Sequence, residues 1–312
     1  MVCITFIVGI IVKNVMLIYF KEANMEPIII TDSCSDLSLE YVKKRDLPII
    51  SFTYNFMGKD LKDDLGQTLS YSEFYNRVRQ GEMATTSQVN SQTYMDFFRN
   101  FLEEGKSIIY MCFSSALSGS YNSALLAREM LLEEYPEAVI SIIDTRSASM
   151  GQGLLVHHAL DLRDKGWDHQ QIVQWVENNK LRLAHWFTVD DLEHLKRGGR
   201  LSGAAAFVGS ILNIKPVLHV DNEGRLVPVE KVKGRKKALK TLFEKMEQTA
   251  TNPAEQTVFI SHGDSIDDAN YLADMIREKL GVKEIIVNPI GPVIGAHAGP
   301  GTIALFFLAS HR

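Results

Sequence analysis

Three hydroxyls, those of Ser114, Ser115 and Ser118, fall between the apolar run Ser107 to Phe113 and a helical pattern that opens near Ser120. Strand, polar loop and helix in that order bring hydroxyls and the unpaired N–H groups of a helix start to the carboxyl end of a sheet strand, with Gly119 beside them. The chemistry on offer is anion binding, and the residue types fit a phosphate or a carboxylate equally well. A second hydroxyl-rich loop, Gly81 to Ser91, carries Thr85, Thr86 and Ser87. These three can face a ligand, cap a helix or decorate a turn. Near the end of the chain, Gly291, Gly295, Gly299 and Gly301 allow close backbone approach, and Pro292 and Pro300 stiffen the turns between them. His297 sits inside this loop as either a donor to an anion or a packing histidine. As a donor its charge would shift affinity near neutral pH.

Other chemistries lack an address. No G-x-G-x-x-G follows the first strand and no glycine run ends in Gly-Lys-Ser, which disfavours a nucleotide. Ser114 and Ser115 are not in a G-x-S-x-G elbow, and there is no H-E-x-x-H or His/Cys cluster, so neither a catalytic residue nor a metal is assigned. Asp32, Asp36 and Asp144 suit a cation, but an Asp in such a position more commonly caps a helix. A net charge of -5 and a pI near 6.0 argue against nucleic acid. Cys3, Cys34 and Cys112 neither pair off nor space as ligands, which suits a reducing, cytoplasmic setting. Arg197 and Arg200 flank two glycines and either face the anion site or fix the turn to a carboxylate. The basic run from Lys231 through Arg235, Lys236 and Lys237 reads as a solvated helix start or as a surface for an acidic protein partner.

The elements that must position these groups alternate. A strand at Ile28 to Ile30 leads through Thr31–Asp36 into a helix from Leu37 to Lys44. Pro48 to Tyr54 is a second strand, and Asn55 to Thr68 is an excursion turning at Gly58 and Gly66. A helix from Ser70 to Arg79 shows a capping-box pattern with Glu73, and another, capped by Asn90 or Ser91, runs to Glu104. The strands Ser107 to Phe113 and Ala138 to Ile143 alternate with helices over 120–134, 151–164 and 169–179. This order predicts an α/β fold, a mostly parallel sheet with helices on both faces. From Leu183 the pattern changes: a strand at His185 to Asp190, a glycine- and alanine-rich apolar helix after Ser202, and a hairpin turning at Asp221 to Gly224. Helices over 235–249 and 267–280 then alternate with strands at 256–260, 284–288 and 302–309, which predicts a smaller, mixed α/β domain. The expected domains are residues 25–183 and 184–312, after an N-terminal extension of residues 1–24. That extension is apolar but for Lys13 and Asn14. As a membrane anchor it would carry a cost of roughly 2.5–3.5 kcal/mol for Lys13, and a non-native extension ahead of Met25 is the preferred reading.

Seven stretches in order carry a resemblance. They are Thr31–Ser33, Thr85–Gln88, Ser114–Ala124, Asp144–Thr145, Leu195–Leu201, Ile214–Pro216 and Gly291–Gly301. With them the chain resembles the DegV family of bacterial fatty-acid-binding proteins from Pro27 to Leu308, with Val89 where the family usually has proline, a change expected to loosen the loop. The resemblance implies a two-domain protein that holds one long-chain fatty acid between its domains and is a carrier without cofactor, not an enzyme. Head-group roles carry over to Thr85 or Thr86, to a serine among Ser114, Ser115 and Ser118, and to His297. Ser115 is the favoured contact and Ser118 the cap or second contact. Candidates for the tail wall are Phe52, Phe113, Phe187, Phe207, Ile211 and Leu212. Some members hand the fatty acid to a separate ATP-dependent kinase for acyl-phosphate formation in phospholipid synthesis, and Arg197, Arg200, Arg235, Lys236 and Lys237 are the expected surface for that partner. Contact with a membrane would be peripheral and transient. The competing readings are a small-molecule kinase or hydrolase using the same anion site, and a regulatory or structural binding protein.

Overall fold

The computed structural model describes residues 25–190, 192–202 and 213–312. The extension of residues 1–24, the glycine- and alanine-rich segment 203–212, and with it Phe207, Ile211 and Leu212, lie outside the described residues. The chain begins with β1 (Pro27–Asp32), a single 3-10 turn (Ser33–Ser35), α1 (Leu39–Lys44), β2 (Ile49–Ile50), β3 (Thr53–Phe56) and β4 (Lys59–Lys62). It continues through α2 (Tyr71–Arg79), β5 (Thr85–Ser87), α3 (Ser91–Glu103), β6 (Ser107–Cys112), α4 (Ser120–Glu134), β7 (Ile140–Asp144), α5 (Met150–Asp164) and α6 (His169–Asn179). The second half holds β8 (Leu183–Thr188), α7 (Glu193–Arg197), β9 (Ile214–Val220), β10 (Leu226–Lys233), α8 (Arg235–Thr249), β11 (Thr257–His262), α9 (Ile266–Leu280), β12 (Glu284–Pro289), α10 (Pro292–Ala298) and β13 (Ile303–Leu308).

The first sheet, in the order β2-β1-β6-β7, is parallel throughout. Every residue of β6 is buried, as expected of a strand covered on both faces, which is why its sequence runs apolar instead of alternating. The second sheet, β10-β9-β8-β13-β11-β12, is mixed, with only the β11–β12 pair parallel. β8 and β13 alternate across it. Ala184, Ile303, Leu305 and Phe307 pack with Leu242 and Phe243 of α8 and Leu272 of α9, whereas Phe187, Leu218, Ala304 and Phe306 join the core of the first domain. α5 lies between the two sheets, in contact with β1 on one side and with β8, β11 and β13 on the other. Its sequence is apolar around nearly its whole circumference because both sides are covered.

Four local departures from the sequence reading matter for the site. The run Pro48 to Tyr54 breaks in two: β2 pairs with β1, while Phe52 N–H donates to Ser33 Oγ at 3.1 Å and the chain leaves the sheet there. β3 then pairs with β4 and with Thr85–Ser87, so the hydroxyl loop is in fact an edge strand of a three-stranded antiparallel sheet. The closing glycine loop contains a short helix, α10, opened by Pro292 and ended at Gly299, whose φ of 78° lies in the left-handed region. α1 is capped by Ser38, and Asp36 is buried instead at the domain junction.

Candidate functional site

Between the inner face of the second sheet and the first domain lies a cavity of about 280 Å³. Much of its wall is apolar: Phe52 and Phe113 from the first domain, in edge-to-face contact at 6.2 Å, meet Phe187, Val220, Ala304 and Phe306 of the second sheet. Thr86, Ser118, Gly119, His297, Gln88 and Arg200 supply a polar part of the lining. The cavity therefore offers hydrogen-bond donors beside a predominantly hydrophobic wall, the arrangement that suits an amphiphile.

Each polar residue has a visible local cause. The β3–β5 ladder sets Thr86 opposite Tyr54, and α10 places His297 Nε2 at 2.9 Å from Thr86 Oγ1. A β-carbon on Gly198 would come within 2.1 Å of His297 Nδ1, so the glycine of the basic turn makes room for the imidazole. Desolvation, with Arg200 adding to it, pushes the His297 pKa down to about 4. The imidazole is thus neutral at physiological pH, and the expected change of charge near neutrality does not occur. Ser118 Oγ accepts from Ser120 N–H at 3.2 Å and lies 3.0 Å from Ser120 Oγ. Ser120 Oγ in turn accepts from Val89 N–H at 3.1 Å. When Ser120 donates to Ser118, the Ser118 proton is left for the cavity. Val89 thereby makes a tie that a proline in its place, having no N–H, could not make.

The other hydroxyls go elsewhere. Ser115, the favoured contact in the sequence reading, gives both its N–H (3.1 Å) and its hydroxyl (2.5 Å) to Asp144 and does not line the cavity. The anion at the end of β6 is the protein's own carboxylate. Ser114 is buried and donates to Gly224 O at 2.9 Å, tying the first domain to the turn between β9 and β10. Thr85 is exposed opposite Asn55, outside the cavity. Of the basic residues, Arg200 reaches the cavity wall, with its Nε bonded to Leu117 O at 3.2 Å. Arg197 lies against His194, and Arg235 pairs with Asp268 at 2.8 Å. Lys236 and Lys237 are exposed at the start of α8.

The acidic residues are structural in placement. Asp32 accepts from Cys34 N–H, Phe113 N–H and Tyr110 Oη, and burial pushes its pKa up to about 6. Asp36 accepts from Ser149 Oγ and from Gly291 N–H at 2.9 Å, and burial pushes it up to about 7. Among the described residues no group of three or more His, Cys, Asp or Glu could hold a metal ion. No described helix is long and apolar enough to cross a membrane. Sequence reasoning left Arg200 open between the anion site and a turn contact, and it missed Gln88 and Ala304 as wall residues. A signal for the last was present, since an inward-facing strand with one small residue leaves space.

Fold and cavity together define a two-domain α/β protein with a ligand-sized space at its domain junction. Residues 28–310 match the sequence model of the family described as "Uncharacterised protein, DegV family", and the chain belongs to the DegV family. A DegV domain-containing protein of Clostridium perfringens is 50% identical over 285 residues, 91% of this chain and 98% of that one. A DegV family protein from Thermus thermophilus, whose structure is described as showing fatty acid binding, is 30% identical with a TM-score of 0.81, covering 91% of this chain and 100% of that one. A protein from Eubacterium ventriosum, described as stearic acid-binding, is 27% identical with a TM-score of 0.79, covering 90% of this chain and 97% of that one.

Proposed function

We propose that this protein binds one long-chain fatty acid in the junction cavity as a carrier without catalytic groups of its own. The single observation that carries this reading is the joining of Thr86, Ser118, His297 and Arg200 to an otherwise mainly apolar wall. A carboxylate entering a buried junction must be met by donors or it takes up a proton or leaves. The hydroxyls of Thr86 and Ser118 supply donors, His297 is held against Thr86, and the Arg200 guanidinium supplies the opposite charge. Each methylene transferred from water contributes about 0.8 kcal/mol, so the tail dominates the gross affinity and the head group sets its direction. The descriptions of the Thermus thermophilus and Eubacterium ventriosum relatives support the ligand class.

In the same reading the loaded protein presents its carboxylate to a separate ATP-dependent kinase for acyl-phosphate formation. The exposed Lys236 and Lys237, with Arg197, form the contact surface, and Arg200 serves the ligand. The protein acts in the cytoplasm, in keeping with its free, buried Cys34 and Cys112, and meets a membrane only in passing.

Native mass spectrometry of freshly purified protein tests the carrier reading, with a bound fatty-acid mass expected. Ser118→Ala and His297→Ala should each weaken fatty-acid binding about 10-fold or more, the size of a hydrogen bond to a charged group, while Ser115→Ala should leave it unchanged. Wild-type affinity in both cavity variants, or hydrolysis of ATP by the purified protein alone, would overturn the reading.

A further inference from the structure

We infer that Gln88 closes the carboxyl end of the cavity and donates to the bound carboxylate, and so sets the ligand's residence time and its preference for the ionised acid. This rests on the fatty-acid reading above and deepens it.

The argument begins at Gly119, the residue that opens α4. Helix starts favour a side chain that accepts from the first free N–H groups, yet α4 has no side-chain hydrogen bond from its cap residue. The backbone does not require the glycine, because its φ of -72° suits any residue. The Gln88 side chain occupies the space a larger residue would take: a β-carbon there would lie 2.1 Å from Gln88 Oε1 and 3.1 Å from Gln88 Cδ, so any side chain at this position displaces the amide. With no side chain at Gly119, and Ser118 Oγ accepting from Ser120 N–H in its stead, a seat remains in which the Gln88 side chain rests at the start of the helix. The main chain is fixed beside it, since Val89 N–H donates to Ser120 Oγ. Gln88 thus lies beside the part of the cavity that Ser118 and Gly119 line. Its amide makes no hydrogen bond among the described residues, so both N–H donors are free for a ligand.

Three variants test the inference by stopped-flow release of a fluorescent fatty acid and by titration with the matching fatty alcohol. Gln88→Met keeps the length and removes the donors, and should speed release about 5- to 10-fold, the loss of one hydrogen bond. Gln88→Glu keeps the shape and adds a negative charge, and should weaken the acid at least 10-fold while leaving the neutral alcohol within about 2-fold. Gly119→Ala fills the seat and should reproduce the faster release of Gln88→Met. Wild-type release rates in both Gln88 variants, with the wild-type protein binding the acid, would overturn the role of Gln88 alone. Failure of the wild-type protein to bind any fatty acid would overturn the underlying reading as well.

Discussion

His297 is a neutral group held where a charge would be expensive, beside Arg200 and partly out of water. Its folded pKa of about 4 lies below the ordinary histidine value of 6.5. Between these values the unfolded chain takes up a proton that the folded chain refuses. The stability linked to His297 is therefore complete above pH 6.5 and is lost as the pH falls toward 4. Replacing His297 by Gln removes this titration, so the gap in melting temperature between wild type and His297→Gln should shift in the variant's favour as the pH falls from 6.5 to 4. Thermal melts across that range would show it.

At the scale of elements, α10 decides the site because it carries His297 and is docked on the first domain through Asp36. Gly291 N–H at its start and Ser149 Oγ at the start of α5 both donate to this buried carboxyl. Asn288 Nδ2 donates to the Asp36 carbonyl at 2.7 Å. Burial raises the Asp36 pKa from 3.8 to about 7, so the folded state holds a proton that the unfolded state releases. This contribution is complete below pH 3.8 and is lost as the pH rises through about 7. Asp36→Asn should therefore gain on the wild type in melting temperature as the pH is raised from 4 to 7. An unchanged difference across that range would show that Asp36 does not hold a proton at the junction.

For the whole molecule, the ligand space exists because two differently built sheets share α5 and leave a gap beyond one end of it. Ala304, on the inner face of β13 and paired with Phe187 of β8, is one of the small residues that keep the gap open. Ala304→Phe should shorten the tail that fits. Displacing two methylenes at about 0.8 kcal/mol each predicts roughly a 10-fold loss for an eighteen-carbon acid. A twelve-carbon acid should bind nearly as before. Calorimetric titration with both acids checks the difference, and an equal loss for the two would instead indicate general damage to the core.

Much of the architecture was legible along the chain because its signals are local. The apolar run of β6, the Asn90 and Ser70 caps and the turn at Asp221–Gly224 each depend on a few neighbouring residues, and the alternation of strands with helices suffices for a parallel sheet in the first half. The family pattern likewise brought Thr86, Ser118 and His297 into the candidate set. Only the tertiary structure separated them from Ser114 and Ser115, because a hydroxyl's role depends on the partner it meets: Asp144 takes Ser115 and Gly224 takes Ser114, and neither partner is near them in sequence. The same holds for Arg200 and Gln88. Their positions at the cavity follow from how the basic turn and β5 are carried against α10 and α4, and no spacing of residue types encodes that approach.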